Sequence, residues 1–487
     1  MTPNDVPTDR RMGSHRLHQV LGSWQRTGAT YTALADGLRA AVQSGAVPLS
    51  SRLPSERELA ATLGLSRTTT TAAYDVLREE GFLISRRGSG TVTTLPPGAV
   101  DKITTHTVLT GPADLVDLSA AAPSAPPELH GAYLAALDML PAHLSGNGYS
   151  PVGLPVLRQA IADWYTARGT PTGPDQVLVT HGAQQAIHLL VESYAGPGDR
   201  VVVEQPTYPH AIDAVRAAGA RPVPVPAGPD GLDVDLFEST LRQVAPRLAY
   251  LIPDHRNPTG TSLSSEDRAR VRAAARRHRT VVVGDEALTE LTLDGPAPSS
   301  FPGDGEAAGF VVAIGSASKS FWGGLRIGWV RAHPDVVARL AARRRHVDVG
   351  TALLEQLVTA HLLTHREPLL ERRRAELRER RDLLVDLLAD RLPDWRTSAP
   401  PGGLALWVDL GLPVSSALAA LAGHHGVRLA PGPAFGVDTS LERYLRIPFS
   451  ETPDALRRGV DGLSAAWAGL GGTAPARGGY EGTPAYV

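Results

Sequence analysis

The chain contains no cysteine, which excludes disulfides and thiolate chemistry and fits a reducing compartment. Aromatic residues are scarce at 5%, yet hydrophobic content is 42%, so the core must be built mainly from Ala, Leu and Val. No sign of charge dominates. Lys and Arg number 48 against 50 Asp and Glu, a formal net charge of −2, so no global polycation argues for nucleic-acid binding. No apolar run approaches the ~20 residues of a membrane span, and the N-terminus lacks the apolar centre of a secretory signal. These absences predict a cytoplasmic protein. With 487 residues, about three domains are expected.

Charge is uneven along the chain. Residues 1–95 hold 11 Arg and no Lys against 8 Asp plus Glu, a balance of +3. Residues 1–28 read as a loose polar tail, 29–95 as a small helical module with a hairpin, and 96–116 as a connector opened by Pro96-Pro97-Gly98. From 117 to 470, continuous β-branched runs alternate with helical segments. Examples are Gln176–Thr180, Arg200–Glu204, Leu248–Pro253, Thr280–Gly284 and Phe310–Gly315. Strands apolar on both faces predict a parallel sheet between helix layers, an α/β fold. Residues 366–391 read as a long helix whose charges are solvated, and 471–487 as a second flexible tail.

In the small module a first amphipathic helix is expected over Tyr31–Ser44. Ser55 and Glu58 have the spacing of a capping box, so a second helix starts at Ser55 and ends at Gly64. Ser66 caps a third over 67–78, closed by Gly81. This is the spacing of a helix-turn-helix. Thr69, Ala73, Val76 and Leu77 should pack, leaving Arg67, Thr68 and Thr71 near the helix start for bases and phosphates. Phe82–Thr93 reads as a hairpin carrying Arg86 and Arg87 at a glycine-flanked tip. The stretch resembles the winged helix-turn-helix of GntR-type regulators. The likeness rests on Arg52-Leu53-Pro54-Ser55, Arg57, Leu59-Ala60, Ser66-Arg67-Thr68-Thr69, Tyr74 and Arg87-Gly88-Ser89-Gly90-Thr91. It implies double-stranded promoter DNA as partner, with Arg52, Ser55, Arg57, Ser66, Arg67, Thr68, Thr71, Arg87 and Gly90 in the DNA-facing set.

The larger region carries the residues that pyridoxal 5'-phosphate needs, each at a strand's carboxyl end or in the loop beyond, where open parallel sheets bind ligands. Lys319, among the small residues of Ala313–Gly328, suits a Schiff base. Asp285 ends a strand and would keep the pyridine nitrogen protonated. The amides of Ala183 and Gln184 open a helix and can bind phosphate, with Ser316, Ser318 and Arg326 completing the cup. Tyr208 can stack on the ring and Asn257 can donate to the phenolic oxygen. Arg446 is placed to pair an effector carboxylate, and Tyr149 to reach the phosphate. No metal is called for.

In their order and spacing these residues resemble the fold-type I aminotransferases over about 117–470. With the module in front, the chain resembles the MocR subfamily of GntR-type regulators. The resemblance implies homodimers, often head-to-tail, with Tyr149 serving the neighbour's site. It also implies a sensor of pyridoxal phosphate or of an amino compound reacting with it, controlling vitamin B6 or amino-acid metabolism genes. The alternative is a working aminotransferase with an appended DNA-binding domain. One departure favours the sensor. Where the family carries a tyrosine two residues after the pyridine aspartate, this chain has Ala287, which removes a donor to the phenolic oxygen.

Overall fold

The computed structural model describes residues 11–22, 24, 29–43, 46–47, 51–86, 90–94, 115–228, 231–303 and 309–470. The chain divides into two compact units, Met1–Leu115 and Val116–Val487. The tip residue Arg87, the connector 96–114 and the segment 471–487 lie outside the described residues.

In the first unit, helices α1 (Ser14–Leu21), α2 (Thr30–Gln43), α3 (Glu56–Leu63) and α4 (Arg67–Glu79) precede an antiparallel hairpin of β1 (Leu83–Arg86) and β2 (Gly90–Thr93). The Ser55 N–H donates to Glu58 Oε2 at 2.9 Å while the Glu58 N–H donates to Ser55 Oγ at 3.3 Å, the reciprocal box that starts α3. Gly64 ends α3 with φ +66°, a left-handed turn that glycine adopts freely. Ser66 then caps α4 by accepting from the Thr69 N–H at 3.0 Å.

Two expectations change here. The buried face of α4 is Thr70, Ala73, Tyr74 and Leu77. Thr69 is drawn into the cap beside Ser66, and the Tyr74 hydroxyl donates to the Pro54 carbonyl at 3.0 Å, which brings Tyr74 into the core while Val76 packs against it partly buried. Within the expected tail, residues 14–21 form α1, whose Leu17 and Leu21 join Met12 and Trp24 in the core of the unit.

The second unit holds two sheets. Its strands are β3 (Val116–Leu118), β4 (Val177–Thr180), β5 (Arg200–Gln205), β6 (Arg221–Gly228), β7 (Gly231–Leu232) and β8 (Leu248–Leu251). They continue as β9 (Val281–Asp285), β10 (Val311–Ser316), β11 (Gly328–Arg331), β12 (Ala405–Asp409), β13 (Val427–Pro431) and β14 (Tyr444–Pro448). The larger sheet runs β4-β11-β10-β9-β8-β5-β6-β7. From β10 through β9, β8, β5 and β6 the neighbours are parallel. Strand β11 runs against β10 and β4, since only a short helical connection, too short for a crossover, joins it to β10.

Successive residues feed opposite layers, as a pleated strand requires. Leu178, Val203, Val283 and Ile314 meet the helices 182–194, 209–217 and 334–344, while Val179, Val202, Val282 and Ala313 face helices on the other side. Thus every carboxyl end of the parallel strands opens on one edge. The smaller sheet, β12-β14-β13-β3, packs on helices 366–391, 415–424 and 453–469.

The long helix Arg366–Arg391 is more than a solvated rod. Arg373 and Arg381 are buried, Arg374 holds Glu290 at 2.9 Å and Arg378 holds Asp294 at 3.1 Å. Charges that a sequence reads as a wet surface here tie the helix to the loop after β9. No helix among the described residues is long and apolar enough to cross a membrane.

Candidate functional site

Strand register assembles the site. Ser316 pairs with Gly328, which pairs in turn with Thr180, so three chain segments end side by side, neighbours about 4.8 Å apart. Beyond Thr180, Gly182 (φ +74°) opens the helix carrying Ala183 and Gln184. A Cβ on Gly328 would lie 2.5 Å from the Gly182 carbonyl carbon and 2.7 Å from the Ala183 nitrogen. Only glycine lets the helix start approach this closely. Arg326, in a left-handed conformation (φ +53°), donates to the His181 carbonyl at 3.4 Å and lays its guanidinium over Gly182. Ser316 Oγ accepts from the Ser318 N–H at 3.2 Å, while Ser318 Oγ is buried without a partner among the described residues. Helix amides, an unengaged hydroxyl and an arginine are a donor set that could receive an anion.

Asp285, at the end of β9, is buried. Burial raises its pKa, and hydrogen bonds from Tyr250 and the Ala287 N–H oppose the rise. The Tyr250 hydroxyl donates to Asp285 Oδ2 at 2.7 Å and the Ala287 N–H to Oδ1 at 3.0 Å. Tyr250 pairs with Val283 across β8 and β9, so Asp285 is its diagonal neighbour on the same face. The sequence reading missed Tyr250 because that partnership exists only once the register is known.

Lys319 follows β10, and its Nζ donates to the Ala121 carbonyl at 2.7 Å. Burial first, then the charge of Arg446, lowers its pKa to about 8, with Asp285 pulling the other way and Arg326 adding to the depression. Composition carried a signal left unused above: Lys102 and Lys319 are the only two lysines of the chain.

Arg446, on β14, is buried. It donates to the Ser119 carbonyl and at 3.4 Å to Asn257 Oδ1, and lies 4.8 Å from the centre of the Phe435 ring. No carboxylate pairs with it among the described residues, and its Nε has no acceptor. Burial lowers its pKa to about 10. Tyr208 is pushed up to about 12, by burial first and then by the charge of Asp285, while Arg326 and Arg446 act oppositely. Tyr208, Asn257, Asp285, Lys319, Arg326 and Arg446 therefore share one electrostatic environment. Tyr149 stands apart from them, 66% exposed.

On the first unit Arg57, Arg67 and Thr68 are exposed, and Arg52 is half-buried against Gly90, whose Cβ would lie 3.1 Å from Arg52 Nε. Thr71 is half-buried. Ser55 and Ser66 are engaged as helix caps.

Comparisons with known proteins agree with this division. The model of the aminotransferase class I and II family matches residues 115–463, and that of the gntR family of bacterial regulatory proteins matches residues 30–92. The chain is similar to a 2-aminoadipate transaminase of Thermus thermophilus, 34% identical over 330 residues that cover 66% of this chain and 82% of the relative. It is similar as well to a rhizopine catabolism regulatory protein, MocR, of Rhizobium meliloti, 32% identical over 394 residues, 75% of this chain and 78% of the relative. Among solved structures, the α-aminoadipate aminotransferase LysN of Thermus thermophilus, complexed with N-(5'-phosphopyridoxyl)-L-leucine, superposes with a TM-score of 0.68 at 31% identity, over 74% of this chain and 93% of that one.

Proposed function

Since the chain belongs to the MocR-type transcription regulators, a gntR-family module followed by an aminotransferase class I and II domain, we propose that its second unit senses an amino compound through pyridoxal 5'-phosphate and thereby changes how the first unit holds promoter DNA. The fold implies that cofactor, and the residues fit it. Ser318 Oγ and the helix start at Ala183 and Gln184 offer donors to a phosphate, with Arg326 supplying charge. Asp285 offers a carboxylate to the ring nitrogen, Tyr208 a ring face, Asn257 a side-chain amide to the phenolic oxygen, and Lys319 an amine with a lowered pKa as covalent anchor. When bound, the cofactor supplies an aldehyde and an electron-withdrawing ring.

The observation that carries the reading is Arg446. A buried arginine whose hydrogen bonds reach only carbonyl and amide oxygens, with the Phe435 ring beside it and no salt bridge among the described residues, is a costly arrangement that a carboxylate would relieve with a bidentate pair. Its charge acts directly on Lys319. An amine on one side and a carboxylate seat on the other suit an α-amino acid. Ala287 offers the site only its backbone N–H, already given to Asp285, which favours sensing over turnover. The similarity to a transaminase supports the second reading, a competent aminotransferase, which sustained conversion of 2-aminoadipate with a keto-acid acceptor would establish.

The test is binding of the purified protein to the duplex upstream of its own gene, without cofactor, with pyridoxal phosphate, and with the cofactor plus each common amino acid. One amino acid is expected to shift the affinity at least tenfold, and Arg446→Met to abolish that shift. A shift produced by the cofactor alone, untouched by Arg446→Met, makes the cofactor itself the signal. Because a ligand acts only through its differential affinity for two states, no shift under any condition removes the sensing role.

A further inference from the structure

The gntR-family match begins at residue 30, yet the first unit begins earlier. Residue 11 is joined to the hairpin by isolated backbone bridges through residue 52. Arg11 bridges to Arg52 in parallel and Arg52 bridges to Val92 in antiparallel sense, with the Met12 N–H donating to the Arg52 carbonyl at 2.9 Å. Met12 is buried in the core beside Leu17 of α1. Neighbouring side chains on an extended segment point to opposite faces, and Arg11 is exposed.

The arginines of this unit fall into two groups. Arg39 is neutralised by Asp36 and Glu80, and Arg78 by Glu56 and Asp75. Arg11, Arg16, Arg52, Arg57 and Arg67 have no acidic partner within 4 Å among the described residues. Three of these five lie together. Arg52 is the backbone neighbour of Arg11. The Glu58 carboxyl is held below its ordinary value chiefly by the Ser55 hydrogen bonds that close the capping box, with Arg11 and Arg57 both adding their charge. The charge of Arg11 therefore reaches the start of α3, where the Glu58 carboxylate is already engaged by the capping box. Neighbouring unpaired arginines on a DNA-binding module suit the spaced negative charge of a duplex backbone.

We propose that the N-terminal segment is a further DNA-contacting element, in which Arg11 pairs with a backbone phosphate alongside those met by Arg52 and Arg57. Its contribution is sequence-independent: it adds affinity and salt dependence without reading bases. This rests on the DNA-binding reading of the first unit and extends its surface beyond the family's usual boundary.

The experiment measures binding of the full chain to a mixed-sequence 40-base-pair duplex across a salt series. For Arg11→Ala the slope of log K against log salt should become shallower by about 0.9, which lowers affinity about fivefold at 0.15 M salt if the two lines meet at 1 M. The bridge is held by backbone atoms, so the variant keeps its fold. Arg11→Lys keeps the charge and should keep the wild-type slope. An unchanged slope in Arg11→Ala overturns the proposal, as does an equal loss in both variants, which would place the effect in folding rather than in charge. A wild-type chain that does not bind duplex at low salt overturns the DNA-binding reading itself, and this proposal with it.

Discussion

Lys319 is a cation kept where a cation is costly. Burial and Arg446 bring its pKa from the ordinary lysine value to about 8, and the neutral amine, the nucleophilic form, grows as pH rises through that value. Uptake of pyridoxal phosphate should accelerate along a titration centred near pH 8 and level off above it. A curve still climbing toward pH 10.5 would place Lys319 in an ordinary environment. With Lys102 the only other lysine, borohydride reduction followed by intact-mass measurement should add one phosphopyridoxyl group to the wild type and none to Lys319→Ala. That variant should lose the visible absorbance and keep its basal DNA binding. Tyr250 tests the other end of the ring. It donates to a carboxylate, a bond worth about 1.5–3 kcal/mol. Tyr250→Phe should raise the pKa of Asp285 and weaken cofactor affinity roughly tenfold, read from an absorbance titration.

At the scale of elements, local rules were legible where local chemistry decides. The Ser55–Glu58 box, the Ser66 cap and Gly64 fixed α3 and α4, and continuous β-branched runs marked the buried strands. Three features escaped, two of them because partners distant in sequence decide them. Leu17 and Leu21 give α1 too short an apolar stripe to stand out from a polar segment, and it is ordered by packing on α2 and α3. The face of α4 widened because Tyr74 finds a carbonyl twenty residues away. Strand β11 reversed because its connection is short. Leu17→Ala should therefore cost about 2–5 kcal/mol, seen as an early transition in denaturant unfolding of the full chain. Of the candidate site, the residues on strand ends and turns were readable, but not what holds them. Gly328→Ala tests that support. Its Cβ meets backbone atoms that cannot yield, so the helix start must move and cofactor affinity should fall at least tenfold. Unchanged affinity would mean that the phosphate does not sit at that helix.

For the whole molecule, the three most exposed of the large apolar residues described belong to the second unit. Leu144 and Tyr149 are 68% and 66% exposed, and Val349 is 55% exposed. The residue after Val349, Gly350, abuts Ser150, since its Cβ would lie 3.2 Å from the Ser150 carbonyl oxygen. Such a patch suits a second copy of the chain, and the dimer implied by the family would carry Tyr149 to the neighbour's cofactor. Leu144→Asp should halve the sedimenting mass and weaken cofactor binding together. Tyr149→Phe should weaken cofactor binding and leave the mass unchanged. Loss of neither property would separate Tyr149 from the site.

The two cations a guest would claim are both held by one short stretch of backbone: the Ala121 carbonyl takes Lys319 and the Ser119 carbonyl takes Arg446. That stretch directly follows β3, the first strand after the connector. In the proposed reading the cofactor would draw Lys319 away from Ala121, and an amino acid's carboxylate would draw Arg446 away from Ser119. Arrival of the guest should release residues 119–121 into faster amide exchange, so that occupancy of the site is reported first where the second unit begins.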